Sequence, residues 1–141
     1  MAERVGNPVP MAIRERLERG EEPLVYELVT PPKDPGEPPL GSWAARLAEA
    51  LEPDDQHELL LTKNRIVVVT TVRRTKEGSI DLSIPHDEIV SIDHVGSGTE
   101  RGRLHFEFRD GSETHVVMGL LFPRPAKRFL AAYESAQPGR R

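Results

Sequence analysis

Apolar and polar residues change places in short steps through residues 58–118, and those steps predict a strand-rich domain. Runs at 58–62 and 65–73 are separated only by Lys63 and Asn64. Asn tolerates the left-handed backbone of a tight reversal, so the pair reads as a hairpin. The run Ile66-Val67-Val68-Val69-Thr70-Thr71-Val72 is β-branched throughout, which suits a pleated surface and disfavours a helix. Residues 79–84 alternate, which places Ile80, Leu82 and Ile84 inward and Asp81 and Ser83 outward. A further run follows at 89–95. Leu104, Phe106 and Phe108 then form one inward set and Thr114, Val116 and Met118 another. A two-residue Asp110-Gly111 turn between them would place polar side chains on the apolar face. A three-residue loop, Arg109-Asp110-Gly111, pairs Phe106 with Thr114 and Leu104 with Val116, and that register is the one predicted.

Helical periodicity appears in three places. Residues 11–19 predict a short helix between Pro10 and Gly20, with Ile13 and Leu17 on the face it packs. Ser42 can cap a helix over 43–51, where Trp43, Leu47 and Leu51 recur at i, i+4 and i+8. Their stripe either closes an open end of the sheet or presents Trp43 and Leu47 to a partner. Ala126, Phe129, Leu130 and Tyr133 share one face of a last helix, opened by Pro123 or Arg124 and running to about residue 134. Residues 24–30 predict a first strand. Residues 31–39 hold too many prolines for a sheet and read as a stiff surface linker, or as a ligand for a proline-recognising domain.

In outline, 1–21 is a tail with a short helix, 22–136 one domain with the Pro-rich loop and inserted helix at 31–56, and 137–141 a tail. At 141 residues a single core is expected. Charge is uneven: residues 1–56 carry six basic and twelve acidic side chains, net −6, and the remainder thirteen and eleven, net +2. That balance, with 5% aromatic residues, argues against nucleic-acid binding. No cysteine is present, which excludes disulfides and thiolate chemistry. No apolar run reaches the length of a transmembrane helix, and the N-terminus lacks a signal-peptide core, so a cytoplasmic location is expected.

Motifs for catalysis are missing: no G-x-S-x-G, Walker loop or H-E-x-x-H occurs. His105 and His115 fall opposite each other in the predicted register, with Glu107 and Glu113 one pair along. They read as a solvated sheet face, with metal binding as the sharper alternative, so no catalytic residue, cofactor or metal is assigned. Arg73, Arg74 and Lys76 crowd one reversal and Arg101 and Arg103 another. If those loops share a rim, they form a candidate surface for anionic lipid or an acidic partner.

Seven strands followed by one amphipathic helix resembles the pleckstrin-homology-like order. Leu60-Leu61-Thr62-Lys63-Asn64-Arg65-Ile66 is similar to the L-x-T-x-x-R-[IL] hairpin of bacterial pleckstrin-homology and GRAM-like families. Ile84-Pro85-His86-Asp87-Glu88-Ile89 is similar to their I-P-[LY]-x-x-I step. The resemblance covers roughly 22–136 and its motifs are structural. It implies a mainly β fold: a strongly bent, seven-stranded antiparallel barrel capped at one end by Phe129 and its helix. Relatives that bind phosphoinositides concentrate cations in the first hairpin loop, where this chain has only Lys33 and Arg46 among many acids. The expected function is therefore a non-catalytic module for protein–protein binding or homo-oligomeric assembly. The alternative is a peripheral adaptor for anionic membrane lipid.

Overall fold

A computed structural model describes residues 5, 6, 8–34, 36–72, 75, 77–96 and 98–136. The fold is mainly β, with two sheets and a C-terminal helix. The strands are β1 (Val5–Gly6), β2 (Pro23–Val29), β3 (Gln56–Thr62), β4 (Arg65–Thr71), β5 (Gly78–Pro85), β6 (Ile89–His94), β7 (Arg103–Phe108) and β8 (Glu113–Val117). The helices are α1 (Met11–Arg14), α2 (Trp43–Ala50) and α3 (Arg124–Ala136), with a 3₁₀ turn at His86–Glu88. Strands β1 to β5 form one sheet in sequence order and β6 to β8 the other. Every pairing is antiparallel except β1 on β2. The sheets do not run into each other as one closed ladder. They are joined at one corner, where Thr30 and Val117 exchange two backbone hydrogen bonds of 2.9 Å.

The predicted hairpins form. In β3–β4, Leu61 pairs with Ile66 across Lys63-Asn64, and the Thr62 hydroxyl accepts the Asn64 and Arg65 N–H groups at 3.2 Å. In β7–β8, Leu104 faces Val116, Phe106 faces Thr114 and His105 faces His115. The loop is the three-residue one: Phe108 N–H donates to the Ser112 carbonyl at 2.9 Å, and Gly111 takes φ +87°. Register here follows the buried face, since Phe106 and Val116 are fully excluded from solvent.

Both faces of the first sheet are covered. Val25, Leu59, Leu61, Ile66 and Val68 join one cluster with Leu104 and Phe106 of the second sheet and Phe129 of α3. The opposite face, with Tyr26, Leu60, Val67 and Val69, lies under Val9 and Ile13 of the N-terminal segment. Continuous β-branched runs are what a strand buried on both sides requires. Ile80 departs from the predicted inward set. Val68 pairs with Leu82 but Val69 with Ile80, so Asp81 is an extra residue in a bulge. One added residue turns Ile80 to the other face, where it packs against Val69's cluster. The first helix is also shorter than its periodicity suggests, closing at Arg14 instead of residue 19. Four residues cannot hold a helix by themselves, and burial of Ile13 fixes this one in place.

Helix α3 lies against β2, β3 and β6, with Ala126, Phe129 and Tyr133 buried. Its Arg128 guanidinium donates to both carboxylate oxygens of Glu27, at 2.7 and 3.0 Å, and so neutralises an acid that is 2% exposed in the middle of β2. Helix α2 lies against β5, β7 and β8. Ser42 caps it by accepting the Ala45 N–H at 3.1 Å, a contact that contributes about 1 kcal/mol. Two further caps come from the distant β7–β8 loop: Asp110 accepts the Trp43 N–H at 2.8 Å and Ser112 the Ala44 N–H at 3.1 Å.

Candidate contact surface

Of the cations predicted to crowd two loops, Arg73, Arg74 and Lys76 lie outside the described residues. Arg101 is exposed. Arg103 is half-buried and committed elsewhere, since its guanidinium donates to Glu100 at 2.7 Å. Glu100 also accepts the Lys33 N–H at 2.8 Å. That N–H, with the Arg103 guanidinium, holds the Glu100 carboxyl below the ordinary carboxylate range. Arg103 therefore ties the Pro-rich loop to β7 and does not form part of an open cationic rim.

Burial removes Leu47 from the partner surface expected of Trp43 and Leu47. Leu47 is fully buried in the main cluster, and Leu51 beside it is 1% exposed. Trp43 is half-buried, with the Arg46 guanidinium 4.2 Å from its ring centroid. Asp110 and Ser112 tie the start of α2 to the β7–β8 loop, and the helix packs against β5, β7 and β8 with Leu47 and Leu51 inward. His105 and His115 do stand opposite each other, with ring centroids 4.9 Å apart, and His105 meets the Glu113 carboxylate at 2.6 Å. Burial, with the charges of Arg103 and His105, lowers the pKa of His115. Among the described residues no group of three His, Asp or Glu side chains is arranged to hold a metal ion.

The surface that stands out is one the sequence analysis left unassigned. Leu120, Leu121 and Phe122 follow one another between β8 and α3 and are 55%, 60% and 75% exposed. Single exposed leucines are ordinary, but three contiguous large apolar side chains in water are not. The backbone holds them there. Arg101 N–H donates to the Leu120 carbonyl and Gly102 N–H to the Gly119 carbonyl, both at 2.8 Å, while Met118 N–H returns a bond to Gly102. Gly119 takes φ +105°, and a Cβ there would sit 2.1 Å from the Phe122 carbonyl oxygen. At Gly102 a Cβ would sit 2.0 Å from the Met118 carbonyl oxygen. Two side-chain-free positions thus let the β6–β7 loop close against the 119–122 turn, and Pro123 and Pro125 stiffen its exit.

Charge gathers beside the apolar tip. Arg101, Arg124 and Lys127 are exposed, and no ion pair engages them among the described residues. On the other side, Leu120 forms one wall of a groove of about 400 Å³ with Leu28, Pro31, Pro32 and Pro53. Leu28 is 48% exposed. Asp55 lines the same groove, and Glu52 and Asp54 next to it are exposed. His57 also reaches this wall, but both ring nitrogens are engaged, Nδ1 with the Thr70 hydroxyl at 2.9 Å and Nε2 with the Glu52 carbonyl. Contact area and charge are what this arrangement offers. A signal for the site was present in the sequence: three apolar residues in a row between Gly119 and Pro123, outside any strand alternation or helical period.

No helix among the described residues is long and apolar enough to cross a membrane. No family model matches the chain, and no curated protein matches it. Among solved structures, it is similar to the crystal structure of the C-terminal domain of an unknown protein from Leishmania infantum, at 13% identity and a TM-score of 0.46, over 82% of this chain and 86% of that one.

Proposed function

We propose that this chain is a non-catalytic interaction module of the pleckstrin-homology-like kind, which engages protein partners or further copies of itself through the 120–122 turn. The barrel-like reading of the two sheets belongs to the same proposal. It is supported by the Thr30–Val117 corner and by Phe129, which is buried where α3 crosses β2, β3 and β6. The observation that carries the function is the exposure of Leu120, Leu121 and Phe122 on a turn fixed by backbone hydrogen bonds. Removing such side chains from water upon binding drives association, and a tied loop loses little conformational entropy in doing so. A second reading, docking on anionic lipid, draws on Arg101, Arg124 and Lys127 around the tip.

The double variant Leu121→Ser, Phe122→Ser tests the module. Light scattering on a sizing column and co-sedimentation with anionic vesicles are run on it and on the unaltered chain. The variant should keep its circular dichroism spectrum and lose whichever association the parent shows. An association that persists in the variant would place the contact elsewhere and end this reading.

A further inference from the structure

The occupant of this surface can be named, on the assumption that the 120–122 turn is the contact site. We infer that the partner is a second copy of this chain, docked about a two-fold axis so that each copy's Phe122 enters the other's groove beside Leu28.

The patch is complementary to itself. Leu120 is a wall of the groove, and Phe122, the most exposed of the three, lies only two residues along. Two residues of extended chain span roughly 7 Å, so knob and hole belong to one patch. A two-fold contact requires this, since residue i of one copy must meet residue j of the other and the reverse. Charge follows the same division. Arg124 and Lys127 flank the knob, lining the neighbouring concavity with Phe122, and are unpaired among the described residues. Asp55 and Glu100 line the hole with one cation, Lys33, and the exposed acids Glu52 and Asp54 adjoin it, so acids outnumber cations there. Rotation about a two-fold axis sets the cations of each copy against the acids of the other. A membrane of anionic lipid would match the cations but would repel the acids beside the same groove. A second copy satisfies both signs.

Light scattering across a concentration series tests the dimer. The unaltered chain should change from monomer to dimer as concentration rises, and Phe122→Ser should weaken dimerisation by at least about tenfold. Two charge-reversed variants then check the pairing: Asp54→Lys with Asp55→Lys, and Arg124→Glu with Lys127→Glu. Each should be monomeric alone, and an equimolar mixture should recover a dimer. These positions are surface ones, and matching circular dichroism spectra confirm that the fold is kept. An unaltered chain that stays monomeric throughout overturns the inference, as does a dimer indifferent to Phe122→Ser or a mixture that remains monomeric. Phe122-dependent sedimentation of a monomer with anionic vesicles would overturn the second copy as occupant while leaving the turn as the contact site. Indifference of every association to Phe122→Ser removes both.

Discussion

Two apolar stretches, the α2 stripe and the 120–122 turn, resemble each other in composition and end in opposite environments. Trp43, Leu47 and Leu51 recur every four residues on a helix, so one face can take all of them into the core, and Leu47 and Leu51 are at most 1% exposed. Leu120, Leu121 and Phe122 are consecutive, and no regular backbone points three consecutive side chains the same way. Gly119 and the bonds to the β6–β7 loop then keep them in solvent. Layering decides the rest: Ile66, Val67, Val68 and Val69 are consecutive too and fully buried, because clusters cover both faces of their sheet, whereas the 120–122 turn has no second layer over it among the described residues.

The sharpest way to break that contrast is to truncate one residue from each stretch. At concentrations where the chain is monomeric, Leu47→Ala should cost about 2–5 kcal/mol by urea denaturation, whereas Phe122→Ala should stay within about 0.5 kcal/mol. Equal losses would show that the turn is packed in solution. A second comparison uses neighbours on α3. Arg128→Ala leaves the buried Glu27 carboxylate without its partner and should destabilise the fold by about 2–3 kcal/mol, discounted because the arginine itself is partly exposed. Lys127→Ala should leave thermal unfolding of the dilute, monomeric chain unchanged and act only on association.

Smaller effects test the turn's backbone and the molecule's response to acid. Gly119→Ala forces a side chain into left-handed backbone against the Phe122 carbonyl. A loss of about 1–3 kcal/mol is expected, with altered association, and calorimetry read beside light scattering would detect both. Burial lowers the pKa of His86 and of His115. Near pH 6 each ring therefore binds fewer protons folded than unfolded, so acidification favours the unfolded chain. Their contribution is complete above the ordinary histidine value of about 6.5 and is lost as pH falls through the lowered folded values. The urea midpoint should thus drop between about pH 7.5 and 5.5, and His115→Gln should reduce the drop.

Much of the fold was legible in the chain. The order of strands β2 to β8, the Ser42 cap and the Phe106–Thr114 register follow from alternation and from turn residues, which act over a few positions. The Asp81 bulge was hidden because a strand's face alternates with every residue, and only the pairing with Val68 and Val69 reveals an insertion. Arg103 looked like a free cation until Glu100 and the Pro-rich loop were placed beside it. Leu47 gave a true signal with two readings, partner or core, and burial decided between them.

Sequence by itself determined which segments pleat, which coil and where the chain reverses, because those preferences depend on a residue and its near neighbours. Only the tertiary structure decided that Asp110 and Ser112 cap a helix some 67 residues away, that Glu27 is neutralised from α3, and that three apolar residues stay in water beside exposed charges of both signs. Such outcomes depend on contacts between distant parts of the chain, whose partners no local pattern encodes.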